Sequence, residues 1–180
     1  MPKLIVIATL MAGVAAPNAT AQRPIDATWL APVGPVTLCD LSPDGMRFVR
    51  ALWRAKGRSR PVMLAGGARA VVGRRVRSLS NGATETTVRA TPLVPITWRG
   101  LPVASYEDSS VTIPESHGPM TRRMILNVPL AALQDELARL DQDIPVAPER
   151  KVIDDAGANG VAIWIEPVAG GSAMMCRTID

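Results

Sequence analysis

Apolar residues recur along this chain with different spacings, and each spacing predicts a different kind of element. Helical spacing is plainest after Ser42. Phe48, Val49, Leu52 and Trp53 share one face with Met46 beside them, while Arg47, Arg50 and Arg54 fall on the other. Ser42 suits a helix cap, Pro43 the first helical position, and Asp44 the positive end of the helix dipole. Lys56-Gly57 supplies a closing cation and a glycine for the left-handed turn, so a helix is predicted over 43–56. Leu130, Leu133, Leu137 and Leu140 repeat the pattern and predict a second helix over 130–140.

Other stretches read as strands. A short one covers 36–39 and ends on Cys39. Another covers 61–65. A longer one covers 68–79, with Ala70, Val72 and Val76 facing inward and a bulge expected at Gly73-Arg74, where alternation breaks. Asn81-Gly82 predicts a type I′ hairpin into a return strand over 84–90. Strands at 92–97 and 101–107 can pair across Arg99-Gly100. Strands at 111–114 and 122–128 can pair across a loop holding Ser116, His117, Gly118 and Pro119. Val152-Ile153 is a further short strand, and 154–160 reads as a turn. In 160–166, Val161, Ile163 and Ile165 alternate with Ala162 and Trp164. The stretch 168–177 reads as a last short helix carrying Cys176. Strands outnumber helices, so the predicted class is α+β: an antiparallel β-sheet with two or three packed helices.

The run at the start of the chain has no period. Met1-Pro2-Lys3 is followed by an apolar stretch to Ala16 that only Thr9 and Gly13 interrupt; Pro17 breaks it, and Ala19-Thr20-Ala21 offers small residues to a signal peptidase. This is the layout of a secretory signal, and the apolar run falls short of the roughly 20 residues a membrane-spanning helix needs. The expected organisation is a cleaved signal over 1–21, a proline-containing leader over 22–35 with Trp29 and Leu30 lying on the surface, and a single globular domain over 36–180. No later stretch reaches membrane-spanning length, so a soluble exported protein is expected, periplasmic or secreted. No cysteine stands at the cleavage site to carry a lipid.

Export changes the reading of the two cysteines. Outside the cytosol an even pair of thiols is expected to oxidise, so Cys39 and Cys176 are predicted to form one long-range disulfide. The composition, 47% hydrophobic but only 3% aromatic, calls for a core of aliphatic residues and methionine. The 16 prolines call for short elements separated by turns.

Candidate chemistry is sparse. The chain has no phosphate-binding glycine loop, dinucleotide fingerprint, Cys-x-x-Cys, His-Glu-x-x-His or Gly-x-Ser-x-Gly. One histidine cannot build the usual zinc sites, and Asp141, Asp143, Asp154 and Asp155 match no calcium loop, so no metal and no cofactor is expected. Charge is distributed more tellingly. Between Met46 and Thr84 there are ten Arg or Lys and no acid; from Gly100 onward there are six basic residues against twelve acidic ones. The expected binding surface is an arginine face built from Arg47, Arg50 and Arg54, extended by Arg69, Arg75 and Arg77, for an anionic envelope component or an acidic protein. The lack of interleaved aromatics argues against nucleic acid. A solvated surface balanced by the acidic half is the plainer alternative. An enzyme is the less favoured class: a small hydrolase centred on His117, with Ser105, Ser109 or Ser110 as nucleophile. The sequence does not fix the oligomeric state.

Overall fold

The computed structural model describes residues 23–55, 61–63, 69–114, 116–153 and 160–179, with the backbone alone at His117. The predicted signal over 1–21, the Lys56-Gly57 helix end and most of the turn over 154–160 lie outside the described residues. Ten strands form one sheet: β1 Ile25–Asp26, β2 Val62–Met63, β3 Arg69–Ser78, β4 Thr84–Pro92, β5 Ile96–Trp98, β6 Leu101–Ile113, β7 Ser116–Leu126, β8 Lys151–Ile153, β9 Val161–Val168 and β10 Gly171–Thr178. The helices are α1 Val36–Cys39, α2 Pro43–Arg54 and α3 Leu130–Arg139, with a 3-10 turn at Thr28–Leu30. The class is α+β with the sheet dominant, and the Cys39–Cys176 disulfide spans 137 residues with its Cα atoms 5.7 Å apart.

The sheet order is β2-β3-β4-β6-β7-β10-β9-β8, with β5 on the start of β6 and β1 on β5. Neighbouring strands run antiparallel except β1 with β5. Consecutive strands linked by tight turns account for the β3–β4, β5–β6 and β9–β10 neighbours. At the β3–β4 turn, Gly82 donates its N–H to the Leu79 carbonyl and has φ +76, and Leu79 donates to the Ala83 carbonyl. That is a type I turn followed by one left-handed glycine, not the expected type I′, because Asn81 keeps a negative φ and instead accepts the Ala83 N–H on its side chain. The doubly left-handed turn occurs at Arg99 and Gly100, φ +48 and +82, between β5 and β6.

Four expectations are corrected. The 36–39 stretch is a helical turn. Four residues are too few to show a period, and Pro35, at φ −59 and ψ −33, already sets the chain on a helical course. The stretch 168–177 is the end of β9, a turn at 169–170 and most of strand β10, which is central in the sheet and buried on both faces from Ser172 to Cys176. Such a strand reads as a continuous apolar run, which periodicity cannot separate from a helix. No bulge interrupts β3: its register with β4 runs unbroken from Ala70↔Pro92 to Ser78↔Thr84. The register shifts lie in the β6–β7 pair, at Val103/Ser105 and Ser110/Thr112. Finally, the backbone from Ser116 to Pro119 belongs to β7, not to a loop; Thr112 and His117 are register partners.

The helices cover one face of the sheet, called inner below. On α2, the Ser42 hydroxyl accepts the Gly45 N–H at 3.2 Å, and Phe48, Val49 and Leu52 turn into the core. There they join Val72, Val88, Ala90, Tyr106, Met124, Met174 and Ile165 from the strands and Leu133 and Leu137 from α3. Part of the proline-containing leader is buried in this layer, at Ala27, Leu30 and Ala31, while Pro24, Asp26 and Val33 stay exposed. Leu30 is 2% exposed, Trp29 packs edge-on to Phe48, and the buried Trp98 indole donates to the Ala31 carbonyl at 2.7 Å. Three prolines prevent a long element there but not burial.

Candidate functional site

Two constellations of polar residues stand out, one under the helices and one on the open face. The first lies where α1 and α2 end over the sheet. Asp108 on β6 and Arg122 on β7 are direct register partners facing inward, each almost fully buried. Arg122 Nε donates to Asp108 Oδ1 at 3.3 Å, and its Nη1 donates to the carbonyls of Leu38 and Cys39, both at 2.8 Å. Trp53 of α2 donates its indole N–H to the other Asp108 oxygen. One guanidinium thus ties two strands to the end of α1, whose last residue is held to β10 by the disulfide. Burial pushes the Asp108 carboxyl above its ordinary pKa, and the Trp53 and Arg122 bonds only partly offset this. Burial, aided by the Asp108 charge, raises the neighbouring Tyr106 hydroxyl as well, so it stays protonated. A carboxylate already satisfied by an indole and a guanidinium has little left to offer a substrate, so this network locks the helix layer to the sheet.

The second constellation is on the outer face. Strand alternation fixes it: Ala70 and Val72 face inward, so the odd-numbered residues of β3 face outward. Gly73, Arg89, Glu107, Arg123 and Met175 then form one row across five strands. Arg75, Thr87, Ser109, Thr121 and Arg177 form the next, and Arg77 and Glu85 begin a third. All of these but Arg177 line an open groove of about 600 Å³. Within it, Arg77 meets Glu85 at 3.2 Å, Arg89 meets Glu107 at 3.5 Å, and Arg123 bridges Glu107 at 3.5 Å and Glu166 at 3.1 Å. Thr87 and Ser109 share a hydrogen bond of 2.8 Å. Arg75 makes no ion pair or hydrogen bond among the described residues. Beyond Met175 the face turns apolar with Trp164, Ala162 and Ala173, and Arg150 lies 4.6 Å from the Trp164 ring centre.

The expected arginines therefore fall into two sets with the sheet between them. Arg47, Arg50 and Arg54 are exposed on α2, above the inner face, and Arg47 is paired with Asp44. Arg69, Arg75 and Arg77 are exposed on β3 and point to the outer face. Arg89, Arg123, Arg150 and Arg177 share that outer face without having been singled out by sequence; their signal was there only as scattered single charges, which the register brings into rows. The serines disperse too. Ser105 is buried, Ser109 bonds to Thr87 on the outer face, and Ser110 faces inward beside Thr86 and Met120. The His117 side chain lies outside the described residues. Comparison with known protein families, with curated proteins and with solved structures found no match for this chain.

Proposed function

We propose that the protein is an exported, non-catalytic binding module that holds an anionic or acidic partner against the outer face of its sheet. The signal layout at the start of the chain and the Cys39–Cys176 disulfide support export. Among the described residues no helix is long and apolar enough to cross a membrane. The observation that carries the binding reading is Arg75: exposed, lining the 600 Å³ groove beside Arg77, Arg89 and Arg123, and unpaired among the described residues. Arg77 is held in position by Glu85, and Arg89 and Arg123 share Glu107, with Glu166 also on Arg123. Arg47, Arg50 and Arg54 form a separate basic surface on α2, on the other side of the sheet from this groove.

The test is retention on immobilised heparin as a generic polyanion. Binding should weaken as salt rises, because solvent-exposed charges are screened over about 10 Å at 0.1 M. Arg75→Gln with Arg77→Gln should elute at clearly lower salt than the parent. Arg47→Gln with Arg50→Gln and Arg54→Gln should shift elution less. Unchanged elution of the β3 variant would remove the outer face as the binding surface.

A further inference from the structure

The edge of β3 carries a more specific reading of the same site, and it rests on the anionic-partner proposal above. β2 covers only Arg69 and Ala70 of this ten-residue strand. The ladder bonds at its two ends show which backbone groups are left. Leu93 donates to the Arg69 carbonyl and Leu79 donates to the Ala83 carbonyl, both at 2.8 Å. In an antiparallel pair such bonded positions alternate, so the odd-numbered residues of β3 spend their N–H and C=O groups on β4. Val72, Arg74, Val76 and Ser78 aim theirs away from β4, along an edge that no described strand covers beyond Ala70.

Proteins ordinarily protect such an edge with a bulge, a proline, a covering segment or charge. From Val71 to Ser78 there is no proline and no register shift, and the residues from Gly73 onward are exposed. Among the described residues arginine is the remaining guard: Arg75 and Arg77 on the outer side, Arg74 on the inner side. That guard selects its partner. Pairing two copies of β3 edge to edge sets Arg74 opposite Arg74, Arg75 opposite Arg75, Arg75 opposite Arg77, or Arg77 opposite Arg69, depending on the register. Like charges placed directly opposite are destabilising. A strand with acidic residues at the facing positions meets the reverse situation. Val76, 58% exposed on the inner side, offers an apolar contact to the same strand.

We propose that the β3 edge accepts an extended acidic segment of a partner protein as an added strand. Backbone hydrogen bonds to Val72, Arg74, Val76 and Ser78 would hold it, and Arg74, Arg75 and Arg77 would read its carboxylates.

The experiment uses the intact, oxidised protein and three probes: a peptide of alternating Glu and Val, the same peptide with alternate backbone amides N-methylated, and heparin. The unmodified peptide binds, and methylation of the edge-facing amides weakens it by roughly tenfold or more, the equivalent of one or two hydrogen bonds. On binding, the amides of Val72, Arg74, Val76 and Ser78 become protected from hydrogen exchange. Val76→Pro gives a second handle. Its N–H is not used by β4, so edge proline is tolerated and the melting transition is kept, yet the donor for the added strand is gone and peptide affinity falls. Equal binding of the methylated peptide, or no protection at these four amides, overturns strand addition while leaving the anionic-partner reading in place. Failure of heparin and both peptides to bind overturns both.

Discussion

Replacing Arg122 with methionine should be among the most damaging single changes on this sheet. Arg122 and Asp108 are 6% and 2% exposed, so neither charge has bulk water to fall back on. The substitution leaves the Asp108 carboxylate with the Trp53 indole as its remaining donor and strips the Leu38 and Cys39 carbonyls of theirs. Breaking a buried pair by removing one partner costs about 3–5 kcal/mol. The orphaned carbonyls, at about 1–3 kcal/mol each when fully buried, move the expectation to the upper end of that range without adding in full. Neutralising the abandoned partner should recover part of the loss: Arg122→Met with Asp108→Asn keeps an acceptor for Trp53 and removes the uncompensated charge. Urea unfolding of the oxidised protein, followed by tryptophan fluorescence, measures both. A single variant within about 1 kcal/mol of the parent would refute the reasoning, because that is the range of an exposed ion pair. A double variant less stable than the single one would show that charge is not what the pair neutralises.

Three further outcomes follow from burial and connectivity. Leu137→Ala, at a site 1% exposed, should cost about 2–5 kcal/mol in the same assay, and an unchanged melting temperature would place that helix face outside the core. Thiol titration of the unreduced, unfolded protein should find neither Cys39 nor Cys176; replacing both with serine should cost up to about 5 kcal/mol, the loop-closure figure for a 137-residue separation. Because the folded pKa of Asp108 is raised, the stability tied to its proton is fully present below the ordinary carboxylate pKa and is lost as pH rises through the raised value. Asp108→Asn should therefore cost more at acid pH than at neutral pH, and a cost that grows toward neutrality would contradict the raised pKa.

Local rules were enough where one side of an element is wet. Helix α2 starts at its predicted proline because Ser42, Pro43 and the spacing of Phe48, Val49 and Leu52 agree. Helix α3 likewise buries Leu133 and Leu137, and β3 and β4 form the hairpin that Asn81-Gly82 signals. Legibility failed where tertiary structure removes the contrast between faces. β10 is enclosed above and below, so Ala173 to Cys176 carries no alternation to read. Leu30 is buried and Trp29 half-buried among residues far along the chain, including Phe48 and Trp98. The candidate site was legible only in part, for a related reason. Basic residues before Thr84 are obvious as a run, but parity along β3 sends Arg75 and Arg77 away from the α2 arginines. The partners that turn them into a groove, Arg89, Glu107 and Arg123, come from strands whose registers no local rule supplies.

Strand β10 has a consequence for the order of events during synthesis. Residues 171–178 follow every other described element in the chain, yet they insert between β7 and β9 and carry the cysteine that anchors Cys39. Until they emerge, β9 and β8 have no sheet to join, Cys39 has no disulfide partner, and one edge of β7 lacks its neighbour. The disulfide and the β7–β10 pairing thus wait for the final strand, and contacts at such sequence separation form slowly because the intervening loop must be closed first. In a chain of this design the β8–β9–β10 side of the sheet closes last, after the β3–β4–β6–β7 part has been made.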